Sequence, residues 1–87
     1  MIRIFESSYI EKDAQRLPRD IQKKLARLLS VFKDNPFNSR LHTKPLSEPL
    51  SGLFSFRITR DWRVLFRFLS SREVLLLRIK HRKDIYR

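Results

Sequence analysis

Apolar residues recur with a period of two in three segments of the C-terminal third, at residues 53–59, 62–68 and 74–80. Because successive side chains of a β-strand point to opposite faces, this period predicts three strands that share one apolar face. The segments are joined by short connections, Arg60-Asp61 and residues 70–73, which predict an antiparallel meander. The predicted core face comprises Phe54, Phe56, Ile58, Val64, Phe66, Phe68, Leu75, Leu77 and Ile79.

The other face of the predicted sheet concentrates positive charge. It carries Ser55, Thr59, Leu65, Leu76 and five cations, which are Arg57, Arg63, Arg67, Arg78 and Lys80. Like charges on neighbouring strands repel each other, and no acidic residue interrupts them within these segments. This pattern favours a surface that binds a polyanion, and an ordinary basic surface is the alternative.

Residues 9–35 have helical periodicity instead. Apolar side chains recur along one stripe from Ile21 to Phe32, which predicts an amphipathic helix with a core face that Asn35-Pro36 ends. A shorter helix is expected from about Tyr9 to Leu17. Residues 1–5 predict an edge strand, and residues 36–51, which contain three prolines, predict a loop.

These elements predict an α+β fold of two layers in the order β-α-α-β-β-β. The helical hairpin is expected to pack on the apolar face of a small antiparallel sheet and to leave the basic face open. The length of 87 residues suits one domain, residues 1–87, with one modest core.

The charge of the chain is compatible with a nucleic-acid partner. The formal net charge is +11, and the excess lies in residues 53–87, which contain ten Lys or Arg against three Asp or Glu. Residues 6–35 contain seven against five. This is the electrostatic footprint of a nucleic-acid binder, although a membrane surface or an acidic protein would also attract it.

The residue types present argue against a metal or another cofactor. The chain has no cysteine, so it has no disulfide and no thiolate ligand, and a reducing cytoplasm is the expected location. Its two histidines, His42 and His81, make a poor metal site alone. No stretch reaches the roughly 18 apolar residues that predict a membrane span, and the N-terminus lacks the apolar region of a signal peptide.

Three motifs carry a resemblance to a known family. They are Leu50-Ser-Gly-Leu-Phe-Ser-Phe-Arg-Ile-Thr59, Asp61-Trp-Arg-Val-Leu-Phe66 and the closing His81-Arg-Lys-Asp-Ile-Tyr86. In this combination, and over nearly the whole chain, the sequence resembles the RelE/ParE superfamily of toxins from toxin–antitoxin pairs. The resemblance implies a RelE-like fold and a cognate antitoxin. RelE-like members cleave mRNA in the ribosomal A site without a metal, whereas ParE-like members inhibit DNA gyrase and are not nucleases.

The resemblance also implies roles for individual residues. Arg63 matches the arginine at the scissile phosphate, and Tyr86 matches the aromatic that stacks on or protonates the substrate. The implied catalytic residues are Arg63, His81, Arg82 and Tyr86. Lys44 falls near the loop position where RelE has lysine and YoeB-like members have glutamate. With the strand cations, the expected binding residues are Lys44, Arg57, Arg67, Arg78 and Lys80. Lys80 replaces a glycine that many members have before the histidine.

Metal-free RNA cleavage needs a base for the 2′-hydroxyl, an acid for the leaving 5′-oxygen and cations for the phosphorane. Arg57 and Arg63 provide planar donors for phosphate oxygens, and His81 and Tyr86 are groups that transfer protons. Glu48 is the only carboxylate of the loop, and the identity of the base stays open. The favoured hypothesis is a ribosome-dependent endoribonuclease. A gyrase-inhibiting toxin and an inactive nucleic-acid-binding module are the alternatives.

Overall fold

Two helices lie against one face of a five-stranded sheet in the computed structural model, which describes residues 1–86. The helices are α1 (Ile10–Gln15) and α2 (Arg19–Asp34). The strands are β1 (Arg3–Glu6), β2 (Lys44–Pro45), β3 (Phe54–Arg57), β4 (Trp62–Ser70) and β5 (Glu73–His81), with 3₁₀ turns at Ser39–Leu41 and Arg82–Asp84. The α+β class and the helical hairpin on one face are confirmed. Residue 87, the last of the predicted domain, lies outside the described residues.

The sheet has the order β1-β5-β4-β3-β2. Strands β3, β4 and β5 form the predicted antiparallel meander. The sheet as a whole is mixed rather than antiparallel, because β1 pairs in parallel with β5. Strand β2, where Lys44 lies opposite Ser55, was not predicted. It is two residues long and contains Pro45, which lacks a backbone N–H and therefore suits an edge.

The main core lies between α2 and the sheet, as the helical stripe predicts. The ring of Phe32 is fully buried, and its centroid lies 5.0 Å from those of Phe56 and Phe66. Burial of one such side chain contributes about 1.5–3 kcal/mol. No helix within residues 1–86 is long and apolar enough to cross a membrane.

A β-bulge in β5 changes which leucines face this core. Leu65 lies opposite Arg78 while Phe66 lies opposite Leu76, so that Leu77 is the extra residue. As a result Leu76 packs in the main core, and Leu77 packs on the opposite face. The prediction that Leu75 and Leu77 face the helices, and that Leu76 faces away, is therefore wrong. In an uninterrupted apolar run the sequence does not show which residues point to which face of the sheet. One inserted residue reverses the faces of the residues on one side of it.

A second, smaller apolar cluster covers part of the face opposite the helices. Leu46, Leu65 and Ile85 are buried in it, and Leu50, Leu53 and Leu77 pack around them. The prediction of an open basic face is therefore wrong in part. The loop after β2 and the C-terminal tail fold over the middle of that face and leave the cations around its edge. We call this group of six residues the second apolar cluster.

Candidate functional site

Three cations stand in one line across β3, β4 and β5. Arg57 lies opposite Arg63, and Arg63 lies opposite Lys80. Directly opposite residues have Cβ atoms only about 4.5–5.5 Å apart, so these charges repel each other at a cost in stability. We call this line of Arg57, Arg63 and Lys80 the cationic row.

Arg63, at the centre of the row, has a buried donor without a hydrogen-bond partner among the described residues. Burial, and then the positive charges of Arg57 and Arg82, lower the pKa of Arg63. Its Nη2 atom donates to the carbonyl of Arg60 over 3.4 Å, but its Nε atom is buried without a partner within residues 1–86. The Nε atom of Arg57 is buried in the same way. Paired guanidinium groups with unmet donors suit an anion that has several oxygens.

Arg82 joins the row from the C-terminal tail. Its backbone N–H donates to the carbonyl of Asp61 over 2.7 Å, and its Nε lies 3.5 Å from the Asp61 carboxylate. Both side chains are about half exposed, so this ion pair is worth little by itself. Its effect is to hold the Arg82 charge close enough to Arg63 to lower the pKa of Arg63.

Tyr86 lies on the loop that follows β2. Its hydroxyl accepts a hydrogen bond from the backbone N–H of Ser47 at 3.1 Å and lies 3.2 Å from the Ser47 hydroxyl. The hydrogen bonds with the Ser47 side chain and backbone, helped by the charge of Lys44, lower the pKa of Tyr86. The residue is 52% exposed, so its ring has a free surface for stacking on a base.

The second apolar cluster brings the cationic row and Tyr86 to one face. Leu65 follows Arg63 by two positions on β4 and therefore shares its face. Ile85, the neighbour of Tyr86, packs in the same cluster as Leu65. The structure thus brings to the border of one surface the residues Arg57, Arg63, Arg82, Tyr86 and Lys44.

His81 is not part of this surface. It lies opposite Trp62, and the two rings meet edge to face with centroids 5.3 Å apart. Trp62 packs on the main core, so the His81 ring is on the helix side of the sheet. Its Nδ1 atom accepts a hydrogen bond from the backbone N–H of Lys83 at 3.2 Å. Arg67 does share the face of Arg63, but it is exposed and four residues further along β4.

Arg78 is engaged by helix α1 instead of facing the row. Its Nε donates to Asp13 over 2.9 Å, its Nη2 donates over 3.3 Å, and its guanidinium lies over the Tyr9 ring at 4.5 Å. The hydrogen bond to Asp13 raises the pKa of Arg78. Asp13 also accepts from the backbone N–H of Ile79 at 2.9 Å. Burial alone would raise the pKa of Asp13, but its bonds to Arg78 and Ile79 and the charges of Arg78 and Arg16 lower it.

Sequence reasoning missed Asp13 and Ser47, whose partners lie 65 and 39 residues away. The leucines at positions 46, 50 and 53 were a signal that the loop folds back on the sheet. Lys80 keeps its place in the row, but it also lines a cleft together with Asp13 and Arg16. Among residues 1–86, no three His, Asp or Glu side chains are close enough together to hold a metal ion.

Comparison with known proteins identifies one matching family model and several similar structures. The model described as "ParE toxin of type II toxin-antitoxin system, parDE" matches residues 6–86. No curated protein matches the chain.

Three solved structures illustrate the likeness. YafQ of E. coli superimposes with a TM-score of 0.79 at 18% identity over 100% of both chains. The YoeB/ParE toxin from Agrobacterium tumefaciens gives 0.76 at 21% identity, covering 92% of this chain and 98% of its own. The toxin–antitoxin complex RelBE2 from Mycobacterium tuberculosis gives 0.76 at 26% identity, covering 93% and 98%. The likeness shows that the helical hairpin and the five-stranded sheet are those of RelE-like toxins.

Proposed function

We infer that this chain, which belongs to the ParE toxin family of type II toxin–antitoxin systems, is an endoribonuclease that cleaves mRNA in the ribosomal A site without a metal. One observation carries the proposal. Arg57 and Arg63 each have a buried Nε donor without a hydrogen-bond partner among the described residues. They lie on the same face as Tyr86, and the pKa of Tyr86 is lowered. The two arginines repel each other in the free protein. Together with Tyr86 they suit a phosphodiester, because its cleavage needs cations at the phosphate and a proton for the leaving oxygen.

Binding comes from the cations. Arg57 and Arg63 donate to the non-bridging oxygens of the scissile phosphate, and Arg82 adds charge from the tail. Charge-assisted bonds from planar guanidinium groups fix the phosphate and stabilise the charge that develops in the phosphorane. Lys44, Arg67 and Lys80 contact phosphates on either side. Arg78 has no such role in this proposal, because Asp13 already holds it.

Cleavage follows from the placement of the phenol. The 2′-oxygen attacks the adjacent phosphorus, and its proton leaves to solvent water. The bond from phosphorus to the 5′-oxygen breaks, and the 5′-oxygen takes the proton of the Tyr86 hydroxyl. The products are a 2′,3′-cyclic phosphate and a 5′-hydroxyl. His81, for which the resemblance implies catalysis, positions the tail from the other face of the sheet.

An antitoxin is the proposed protein partner. The solved relatives include a complex of toxin and antitoxin, and the net charge of +11 would attract an acidic segment of such a protein. The ribosomal substrate and the absence of cysteine both fit a protein that acts in the cytoplasm.

A second candidate function is inhibition of DNA gyrase with no chemistry of its own. The matching family model bears the ParE name, which is the observation in its favour. In that case the cationic surface would serve for binding alone, and Tyr86 would need no proton.

The test is in-vitro translation of a defined message with the purified protein, read by primer extension. We expect cuts only on translated message, at least about 100-fold fewer with Arg63→Ala or Tyr86→Phe, and none without ribosomes. Arg72→Gln is the matched control, because it removes one positive charge from the turn between β4 and β5. If the message stays intact at protein concentrations that stop cell growth, the nuclease proposal is overturned. Loss of DNA supercoiling by gyrase would then support the second candidate.

A further inference from the structure

Two pairs of neighbouring residues meet at the rim of the second apolar cluster. In each pair the first residue is buried in the cluster, and these are Leu46 and Ile85. The second residues are Ser47 and Tyr86, and their polar atoms meet in two contacts. The buried members therefore fix the distance between the polar members.

Ser47 lies in a segment whose backbone is tied on both sides. The backbone N–H of Leu46 donates to the carbonyl of Leu53 at 2.9 Å, and the N–H of Leu50 donates to the carbonyl of Ser47 at 2.9 Å. The Ser51 hydroxyl donates to Glu48 at 2.7 Å. The backbone N–H of Ser47 is thus directed at the phenol oxygen by a constrained turn.

We propose that Ser47 is a positioning residue for Tyr86, whose hydroxyl it holds through its backbone N–H and its own hydroxyl so that the phenol proton is delivered to the substrate. The inference rests on the proposed function, since it concerns the proton that the leaving oxygen needs. Nothing in the family resemblance assigns a role to this serine.

The two contacts differ in what they do during proton transfer. The backbone N–H is a fixed donor, so the phenol oxygen accepts from it before and after the reaction. The serine hydroxyl can either accept or donate. By donating to the phenol oxygen before cleavage, it leaves the phenol proton free for the 5′-oxygen. When the O–H bond of Tyr86 breaks, the same donation stabilises the phenolate, which is why the pKa of Tyr86 falls.

If Ser47 had only a structural role, its contact with Tyr86 would hold the C-terminal tail in place without affecting proton transfer. The first experiment separates the two roles without any RNA. In a Tyr9→Phe background Tyr86 is the only tyrosine, and its ionisation can be followed by ultraviolet absorption. We expect Ser47→Ala to raise the midpoint of this titration and Ser47→Thr, which keeps a hydroxyl, to restore it. An unchanged midpoint in Ser47→Ala would overturn the proposal.

The second experiment uses the cleavage assay. We expect Ser47→Ala to lower kcat about tenfold with KM unchanged, as loss of one hydrogen bond to a charged oxygen predicts. The alkaline limb of the pH profile, where the phenol has lost its proton, should move to higher pH. In a Tyr86→Phe background, Ser47→Ala should change nothing further. An equal loss in both backgrounds would mean that Ser47 acts only on the fold.

The two proposals fail in different ways. If the unaltered protein does not cut translated message, the proposed function is overturned, and the titration still decides whether Ser47 holds Tyr86. If cleavage depends on Tyr86 but neither the titration nor kcat responds to Ser47→Ala, the positioning role alone is overturned. Circular dichroism of each variant checks that the fold is retained.

Discussion

Arg57 and Arg63 stand directly opposite each other on β3 and β4, and neither Nε atom has a hydrogen-bond partner within residues 1–86. A sheet built for stability alone would place opposite charges or apolar residues at such a pair. In the proposed function, these two guanidinium groups bind the substrate phosphate, and their repulsion is a cost to the free protein. Function and stability therefore make opposite demands on the same pair.

Arg63→Gln is expected to separate these two demands. Removing the central charge should raise the free energy of unfolding by up to about 1 kcal/mol, because it relieves the repulsion from Arg57. It should also abolish RNA cleavage, because the phosphate loses its main donor. Urea unfolding and the translation assay measure the two effects. The control Arg72→Gln should change neither, and a destabilised Arg63→Gln protein would contradict the prediction.

Ser55→Ala is expected to stabilise the protein by about 1 kcal/mol. Ser55 is only 1% exposed, and its hydroxyl has no hydrogen-bond partner among the described residues. A buried hydroxyl without a partner costs free energy that alanine avoids. Thermal unfolding of Ser55→Ala beside Ser71→Ala, which alters an exposed turn, is the measurement. A loss of stability would show that the Ser55 hydroxyl is satisfied after all.

Asp13→Asn is expected to destabilise the fold by about 2 kcal/mol at neutral pH, since it weakens charge-assisted bonds to Arg78 and Ile79. The pKa of Asp13 lies below its usual value of 3.8, so its contribution is present above that pH and is lost as the pH falls through the lower value. The difference from the unaltered protein should therefore narrow as the pH is lowered below about 4. Urea unfolding across this range tests it. An equally large difference in the free energy of unfolding in strong acid would contradict the prediction. Asp20→Asn, in the exposed first turn of α2, is the control.

His81→Asn is expected to retain cleavage within about tenfold. Asparagine offers an oxygen that can accept from the backbone N–H of Lys83 as Nδ1 does, and the His81 ring lies on the helix side of the sheet. A histidine that transferred a proton would instead be worth about 100-fold or more. Single-turnover cleavage distinguishes these outcomes. A loss of cleavage rate of about 100-fold or more, with the fold intact, would show that His81 is a catalytic residue.

The fold was predictable where periodicity is unambiguous. The stripe from Ile21 to Phe32 predicted α2, which spans Arg19–Asp34, and the short connections predicted the meander. Prediction failed in β5, where Val74 to Leu77 are all apolar and so hide a bulge from any count of parity. It also missed β2, which gives too short a pattern to detect.

The site was predictable to the extent that parity and the family motifs specify it. Arg57 and Arg63 are correctly placed because β3 and β4 pair regularly between them. Arg78 lies opposite Leu65, as parity predicts, but a carboxylate 65 residues away engages its side chain. Partners at that separation leave no local signal, and only the packed structure brings them together.

Because β1 pairs in parallel with β5, the sheet is completed only after β5 has been made. Arg3 is made seventy residues before its partner Glu73, which follows every other strand except β5 itself. During synthesis the edge strand therefore waits without a neighbour, and the nascent chain carries neither the finished sheet nor Tyr86. Under the proposed function, the nascent chain is therefore unable to cleave RNA until residues 73–86 have been made.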